Sequence, residues 1–350
     1  MTEHSAIGVV VIGRNEGERL KRCLSSIQSQ HNGPVVYVDS GSTDGSADYA
    51  RSVGVDVVDL DISIPFTMAR GRNTGLDYLV DRHSHCQFVQ FVDGDCEMVA
   101  GWIKTGLQFL ERHQDYAGVC GNRSERFPEA TIYNQLIEIE WQGRAGEAEA
   151  CGGDAIYRID RFQVAGCFNE AMIAGEEADL CLRLRQLGSR LMRLDSPMTV
   201  HDANMQYFSQ WWKRSVRCGH AYAHGYDMHK NDAEVGGKKY KRKALLSSLI
   251  YGLVLPGLLV LIFLLLTANP SGAGQLFLFT GAVLVLAFYV RGFYKTAKSK
   301  STSSHSSLYA SFIALGKFPE VQGVLHYFLN KVLGKTSKII EYRIESKIDS

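Results

Sequence analysis

The first half of the chain alternates short runs of β-branched residues with segments whose apolar residues recur every three or four positions. Four apolar runs fit buried strands: Ile7–Gly13, Pro34–Asp39, Val55–Leu60 and Gln87–Asp93. Their near-continuous Val and Ile residues favour burial on both faces of a sheet. Because strands that alternate with helices favour parallel pairing, the pattern predicts an α/β domain with a Rossmann-like, mostly parallel sheet flanked by helices.

Helical spacing appears between the predicted strands and continues after them. The predicted helices are 16–30, 44–53, 68–80, 102–112 and 176–187, and one further strand is predicted at 116–121. Residues 122–175 are Gly-rich and less regular, which suits a substrate-facing region.

The pattern changes abruptly after Ala244. Residues 245–267 are almost wholly apolar, and a second apolar stretch occupies 275–293 after the short turn NPSGAG. A membrane span needs roughly 20 apolar residues, so these stretches predict a transmembrane helical hairpin rather than a buried hairpin of a soluble domain. Pro256 is predicted to kink the first span. Residues 308–340 are amphipathic and predict one or two helices that lie in the membrane interface.

Charge predicts the orientation of this hairpin. Its outer flanks, KKYKRK at 238–243 and RGFYKTAKSK at 291–300, are basic, whereas its internal turn has no Lys or Arg. The positive-inside rule then predicts a multi-pass protein of the inner (cytoplasmic) membrane, with both segments outside the hairpin on the cytoplasmic side.

Composition narrows the class of protein further. The 38 basic and 37 acidic residues nearly cancel, so bulk charge does not indicate a nucleic-acid partner. The eight cysteines are scattered singly without a C-x-x-C pair, which argues against a disulfide framework and favours a reducing compartment. The first residues, MTEHSAIG, lack a basic segment and a long apolar run, so no signal peptide is predicted.

Two carboxylates follow the fourth predicted strand: Asp93 and Asp95, on either side of Gly94. Open α/β sheets bind ligands at the carboxyl ends of their strands. Hard oxygen ligands suit Mg²⁺ or Mn²⁺, and such ions usually bridge to diphosphate oxygens. An isolated Asp-Gly-Asp is more often a solvated turn, but its place after an apolar strand favours a metal site.

Asp39 ends another predicted strand and is followed by small polar residues. A carboxylate at such a position can accept a hydrogen bond from the N–H of a base such as uracil. The alternative is a structural turn, in which Asp44 caps the following helix. Asp39 lies on the rim of the predicted sheet, which favours a role in ligand binding.

Three acidic residues, Glu176, Glu177 and Asp179, lie together at the start of a predicted helix. The helix dipole favours acids there, so a structural role is one interpretation. Carboxylates this close also repel one another, and such crowding can raise a carboxyl pKa towards the range of a general base. His201, after a further predicted strand, is either a core histidine or a ligand of the predicted metal.

Six motifs occur in a fixed order: VVVIGRNEGERLKRCLSSI, VVYVDSGSTDGS, ARGRNTGLDYL, FVDGDCEM, CGGDAIYRIDRFQVAGCFNE and GEEADLCLRLRQLG. Over residues 5–205 they resemble the family 2 inverting glycosyltransferases with the GT-A fold. The second half resembles the membrane-attached branch that builds exopolysaccharide or glycolipid. The segments implied are a GT-A catalytic domain at 1–230, a basic juxtamembrane linker at 231–244, the transmembrane hairpin at 245–293 and a cytoplasmic amphipathic tail at 294–350.

The resemblance also implies roles for single residues. Glu177 is the expected catalytic base, where the family usually has Asp, and Asp179 is the alternative. Asp95 is expected to hold the metal, with Asp93 and His201 as further candidate ligands. The residues expected in donor binding are Asn15 and Glu16 in the nucleoside pocket, Asp39 at the base, Arg72 near the diphosphate, Asp93 near the ribose or sugar, and Gly153 and Asp154 beside the donor sugar or acceptor.

The implied reaction is a metal-dependent single displacement, with inversion, from a nucleotide-diphosphate sugar such as a UDP-sugar to a saccharide or lipid-linked acceptor. One alternative is a polyprenyl-phosphate glycosyltransferase, whose acceptor is already ionised and needs no base. A Rossmann dehydrogenase is disfavoured because residues 13–17, GRNEG, lack the G-x-G-x-x-G turn. A third alternative is a non-enzymatic membrane scaffold, against which the retained acidic residues argue.

Overall fold

One mixed sheet organises the chain up to Gln206. The computed structural model describes residues 6–232, 239–268, 273–300 and 303–342. Within these residues the sheet has nine strands: β1 (Ile7–Gly13), β2 (Val35–Asp39), β3 (Asp56–Asp59), β4 (Phe88–Asp93), β5 (Cys96–Met98), β6 (Tyr116–Glu125), β7 (Gly146–Glu147), β8 (Ala155–Arg158) and β9 (Arg190–His201). Their order is β3-β2-β1-β4-β8-β6-β9-β5, and β7 pairs with β9.

The helices of this first unit lie between the strands in sequence. They are α1 (Glu18–Gln28), α2 (Ser46–Ser52), α3 (Met68–Arg82), α4 (Trp102–Arg112), α5 (Ile132–Trp141), α6 (Ile159–Val164) and α7 (Glu176–Gln186). The α/β prediction is confirmed, and the sheet is flanked by helices as expected.

The first four strands of the pattern form an all-parallel part of the sheet. β1 pairs in parallel with β2 and β4, and β2 pairs in parallel with β3. Each agrees with its predicted bounds to within one residue at either end. The remaining strands mix directions: β8 is antiparallel to β4 and β6, while β9 is parallel to β6 and antiparallel to β5. The sheet as a whole is therefore mixed.

Residues 122–175, predicted to be less regular, contain the end of β6 and then α5, β7, β8 and α6. α5 begins after Thr131, whose side-chain oxygen accepts the backbone N–H of Asn134. The helix buries Leu136 and Ile139. A capped helix with an apolar face therefore occupies part of this region.

Glycines bring α3 close to β1. A Cβ at Gly75 would lie 2.4 Å from Cγ1 of Val10, and a Cβ at Gly8 would lie 2.4 Å from Cδ1 of Leu79. Only glycine allows this approach of helix and strand. The packing holds the first turns of α3, which include Arg72, at the edge of the sheet where β4 ends.

The register of β8 brings a distant segment to the same edge. Because β8 is antiparallel to β4, Ala155 pairs with Phe91. The residue before it, Asp154, therefore lies beside Asp93, and Oδ1 of Asp154 accepts the backbone N–H of Asp93 at 3.1 Å.

Residues 207–342 form a second unit with its own core. Its helices are α8 (Phe208–His229), α9 (Arg242–Leu249), α10 (Leu255–Ala268), α11 (Ala273–Ser299), α12 (Ser306–Leu315) and α13 (Lys317–Val332). α8 and α13 approach closely, since a Cβ at Gly219 would lie 1.9 Å from the carbonyl oxygen of Glu320. A Cβ at Gly323 would lie equally close, 1.9 Å, to the carbonyl oxygen of Val216.

Two helical stretches of this unit, Arg242–Ala268 and Gly274–Ser299, are long and apolar enough to cross a membrane. In the first, a π-helical turn at Ile250–Val254 comes just before Pro256. The backbone N–H of Leu255 donates to the carbonyl of Ile250 in this wider turn. Since proline has no N–H to donate, the turn accommodates Pro256 within a continuous helix.

Candidate active site

Three strand ends meet at one corner of the sheet. His201, the last residue of β9, is the register partner of Glu125 at the end of β6 and of Cys96 at the start of β5. Asp95 immediately precedes Cys96. The oxygen, sulfur and nitrogen atoms of Asp95, Cys96 and His201 lie within 4.8 Å of one another, and all three residues are buried. The sheet therefore assembles possible metal ligands from separate strands.

Asp95 and His201 face each other in this corner. Oδ2 of Asp95 lies 3.0 Å from Nε2 of His201, and Nδ1 of the same ring lies 3.4 Å from Oε2 of Glu125. A neutral imidazole that donates its Nδ1 proton to Glu125 turns its Nε2 lone pair towards Asp95. Two acceptors in that position need a proton or a cation between them. Their 3.0 Å separation is that of a hydrogen bond, and it is also that of neighbouring ligands of an octahedral ion with bonds of about 2.1 Å, so the pair could hold Mg²⁺ or Mn²⁺.

Arg72 joins the end of β4 to the start of α7. Its guanidinium forms ion pairs with Asp93 at 2.8 Å, with Glu176 at 2.8 Å and with Glu177 at 3.5 Å. The side chain is only 1% exposed. Arg72 was expected near the donor diphosphate, but its guanidinium is occupied by these carboxylates. Arg72 thus links Asp93 to Glu176 and, at a longer distance, to Glu177.

A second arginine, Arg123, pairs with carboxylates at this edge. It forms an ion pair with Asp154 at 2.5 Å and lies 3.7 Å from Asp93. Asp154 is buried, and its Oδ2 also accepts a hydrogen bond from the hydroxyl of Thr199 at 2.7 Å. Burial opposes ionisation of Asp93, but the guanidinium groups of Arg72 and Arg123 hold its pKa at about 2. Asp93 is thus a carboxylate under all ordinary conditions.

Gly153 lies against this network. A Cβ at this position would come within 2.4 Å of Nη2 of Arg72 and 3.1 Å of Oδ2 of Asp93. The Gly-rich segment before β8 therefore leaves room for the Arg72 guanidinium, which gives this predicted donor-site residue a steric reason to be glycine.

The three acids at the start of α7 have different surroundings. Glu176 is fully buried on Arg72, and Asp179 is fully buried on Arg183, whose Nη2 lies 2.7 Å from Oδ2 of Asp179. Glu177 is 22% exposed. Arg72 and Arg183 counter the mutual repulsion that the sequence suggested. Glu177 is the member of the cluster that solvent or an acceptor can reach.

The loops after β1 and β2 are built around Asp39. Its carboxylate accepts hydrogen bonds from the Tyr37 hydroxyl at 2.9 Å and from the N–H groups of Gly41 and Ser42 at 3.0 and 2.7 Å. The hydroxyl of Ser42 then accepts the N–H of Asn15 at 2.9 Å. Asp39 and Asn15, predicted in the same pocket, are therefore brought together by one hydrogen-bonded turn.

Glu16 lies between these loops and Gly94 of the Asp-Gly-Asp turn. It is buried and forms an ion pair with Arg19 at 3.0 Å. A Cβ at Gly94 would lie 3.3 Å from Cγ of Glu16. The predicted nucleoside residues and the predicted metal residues thus belong to one continuous edge of the sheet.

Sequence reasoning missed four residues of this site: Cys96, Arg123, Glu125 and Trp141. The Trp141 ring lies 5.1 Å from the Arg123 guanidinium and meets the His201 ring edge to face at 4.6 Å. Cys96 had a signal, since it adjoins Asp95. Arg123 and Glu125 also had one, because opposite charges two residues apart project from the same face of a strand.

Comparison with known proteins finds similarity to a family over part of the chain. Residues 8–172 match the family model for glycosyl transferase family 2. Glycosyltransferase AglE of Haloferax volcanii is 24% identical over 226 residues, or 61% of this chain and 71% of that protein. The succinoglycan biosynthesis protein ExoA of Rhizobium meliloti is 24% identical over 224 residues, or 59% of this chain and 66% of that protein.

Solved structures agree on the fold. The mannosyltransferase PcManGT from Pyrobaculum calidifontis, in complex with GDP-Man and Mn²⁺, superposes with a TM-score of 0.62 at 16% identity, covering 94% of this chain and 89% of that one. A fragment of S. aureus TarS superposes with a TM-score of 0.53 at 14% identity. The chain is a glycosyltransferase with the GT-A fold. Residues 8–172 are the part of it that matches glycosyl transferase family 2.

Proposed function

We propose that the protein transfers a sugar, with inversion and with the help of a divalent metal, from a nucleotide-diphosphate donor to a saccharide or glycolipid acceptor. The observation that carries this proposal is the accessible carboxylate of Glu177, tied through buried Arg72 to Asp93 at the end of β4. ExoA, by its name, acts in succinoglycan biosynthesis, and PcManGT binds GDP-Man with Mn²⁺. These relatives support a place in polysaccharide or cell-envelope glycan synthesis.

Asp95 and His201 are the proposed metal ligands, with Glu125 orienting the imidazole. An imidazole ligand favours Mn²⁺ over Mg²⁺, which prefers an all-oxygen shell. When bound, the metal stabilises negative charge that develops on the departing diphosphate. Asp93 is not proposed as a metal ligand, since both of its oxygens already face guanidinium groups. It is assigned instead, from the resemblance, to the ribose or sugar of the donor.

Glu177 is the proposed base. It takes the proton of the acceptor hydroxyl while that oxygen bonds to the anomeric carbon, and the bond to diphosphate breaks with its electron pair. One base and no covalent nucleophile give inversion, so an α-linked donor yields a β-linked product. Asp179 is not proposed as a base, because it is buried and paired with Arg183.

The nucleoside pocket is assigned to Asn15, Glu16 and Asp39. An ionised carboxylate has about four lone-pair positions, and Asp39 uses three of them within the protein. One remains for the N–H of a base such as uracil. A UDP-sugar is the proposed donor, with Gly153 and Asp154 beside its sugar or the acceptor.

The second unit is assigned to the inner (cytoplasmic) membrane. Two helices are long and apolar enough to span it. The basic flanks at 238–243 and 291–300 favour a hairpin whose ends, and the catalytic domain, face the cytoplasm. Part of the first flank and the turn of the hairpin lie outside the described residues.

A donor screen tests this function. Full-length protein in detergent is heated with a panel of nucleotide-sugars and Mn²⁺, and a bound donor should raise the melting temperature by mass action. With that donor, an acceptor mixture and Mn²⁺, nucleotide diphosphate should be released, and EDTA should stop its release. No binding and no release with any donor would contradict the proposal and favour a scaffold.

Glu177→Gln separates the proposal from its main alternative. Removing a general base should lower turnover by about 10²–10⁴-fold while donor binding is retained. Asp160→Asn, at an exposed acid on α6, is the matched control and should leave turnover unchanged. Normal turnover of Glu177→Gln would indicate an acceptor that is already ionised, such as a polyprenyl phosphate.

A further inference from the structure

A thiol lies among the proposed metal ligands. Cys96 is buried, and its Sγ lies 3.6 Å from Oδ1 of Asp95. Cys96 is also the cross-strand register partner of His201. Directly opposite residues of an antiparallel pair have neighbouring side chains on one face of the sheet. One sulfur, one nitrogen and one oxygen ligand thus converge within 4.8 Å of one another.

This donor set differs from the one that Mg²⁺ or Mn²⁺ prefers. Thiolate with imidazole and carboxylate is a ligand set of Zn²⁺. Tetrahedral zinc, with bonds of about 2.0–2.3 Å, places such ligands about 3.3–3.6 Å apart. The Asp95 carboxylate offers a different oxygen to each neighbour: Oδ1 lies 3.6 Å from Sγ of Cys96, and Oδ2 lies 3.0 Å from Nε2 of His201. One ligand atom from each of the three residues lies within 4.8 Å of the others, so the set must contract to reach that geometry.

Cys96 also belongs to a second cluster, with Asp93 and Asp154. There, however, Asp93 is paired with Arg72 and Asp154 with Arg123. These fixed guanidinium charges oppose a cation. The side of Cys96 that faces Asp95 and His201 is therefore the favourable one.

We propose that Asp95, Cys96 and His201 form a zinc site within the catalytic pocket, with Cys96 as a thiolate ligand and solvent in the fourth position. On binding, the thiol proton is released to solvent and a Zn–S bond forms. Zn²⁺ binds such sites more tightly than Mn²⁺, so it excludes the ion that transfer requires. The zinc site stands on the ligand geometry alone, whereas its inhibitory effect rests on the proposed function.

Co²⁺ provides a spectroscopic probe of the sulfur ligand, because a cobalt–thiolate bond absorbs in the near ultraviolet. Full-length protein in detergent should bind one Co²⁺ with this absorption, and one equivalent of Zn²⁺ should abolish it. Loss of an outer-shell partner already lowers metal affinity by about 10–100-fold. Cys96→Ser should therefore lose the absorption and weaken Zn²⁺ binding by at least about 100-fold, with Mn²⁺ affinity nearly unchanged.

Cys86→Ser is the matched control, since Cys86 is also buried but lies at the opposite end of β4. It should retain the absorption and the Zn²⁺ affinity. Thermal unfolding of each variant checks that it is folded, and Cys96→Ala replaces Cys96→Ser if the latter is not. Absence of the absorption in the wild type, or its persistence in the Cys96 variant, would overturn the zinc site. Failure of sugar transfer with Mn²⁺ would instead overturn the proposed function and leave these metal-binding results intact.

Discussion

The guanidinium of Arg72 occupies the space in which any side chain at Gly153 would lie. A Cβ built on Gly153 comes within 2.4 Å of Nη2 of Arg72. The end of an arginine side chain is ordinarily flexible, but this one is held by Asp93 on one side and Glu176 on the other. Residue 153 therefore controls the geometry of an ion-pair network to which it contributes no charge.

Gly153→Ala should reduce turnover by about 100-fold, because a displacement of about 1 Å in a catalytic group can have that effect. The added methyl group pushes Arg72 away from Asp93 and so moves Glu177. Steady-state kinetics with the identified donor would measure the loss. Gly152→Ala is the control, since a Cβ at Gly152 meets no atom within 4 Å. Equal activity of the two variants would show that the Arg72 side chain can move aside without lowering turnover.

Asp179→Asn should affect stability rather than catalysis. It removes the carboxylate that pairs with Arg183, and breaking a buried ion pair costs about 3–5 kcal/mol. We expect a lower denaturation midpoint, with turnover per folded molecule close to that of the wild type. Glu177→Gln should show the opposite combination. A variant at Asp179 that is stable but inactive would instead identify Asp179 as the base.

The second unit should lose stability in mild acid because of His220. Burial, together with His224 and His326, lowers the pKa of His220 to about 4. In the unfolded chain the pKa is about 6.5, so the unfolded state gains a proton first as the pH falls. The stabilising effect is complete above pH 6.5 and is lost as the pH falls towards 4, by about 3 kcal/mol.

Melting temperatures in detergent between pH 7.5 and 4.5 would measure this change. His220→Gln should flatten the pH dependence, whereas His85→Gln, at an exposed histidine of the first unit, should not. If the melting temperature of the His220 variant depended on pH as steeply as that of the wild type, other groups would be responsible for the acid sensitivity.

Gly323→Ala should destabilise the same unit. A Cβ at this position would lie 1.9 Å from the carbonyl oxygen of Val216, so α13 must move away from α8. Overpacking of this kind costs about 1–3 kcal/mol. Gly257→Ala is the control, because a Cβ there meets no atom within 4 Å. A melting temperature equal to that of the control would mean that the two helices can separate freely.

Local patterns were sufficient to predict β1 to β4, because buried parallel strands are continuous apolar runs. β8 has only four residues and pairs antiparallel with β4 and β6. Because its position depends on these neighbours in the sheet, no local sequence pattern predicts it. α5 did have a local signal, Thr131 as a cap followed by an apolar stripe. The Gly-rich composition around it obscured that signal.

The candidate site shows the same division. Asp93, Asp95 and the acids of α7 could be selected from their places at strand and helix ends. Their ion pairs could not be predicted, because Arg72 lies 104 residues before Glu176 in the chain, and the packing of α3 brings the two together. The different surroundings of Glu176, Glu177 and Asp179 likewise depend on contacts made across the fold.

The π-helical turn at Ile250–Val254 affects which side of the first apolar span faces α13. Such a turn holds one residue more than an α-helical turn, and one residue corresponds to roughly 100° of rotation about the helix axis. Before Pro256, Gly252 faces α13, where a Cβ would lie 2.2 Å from the carbonyl oxygen of Lys317. Deleting a single residue within the turn would leave the span equally apolar and nearly as long. The part of the helix after the turn would nevertheless rotate about its axis, and different side chains would face its surroundings.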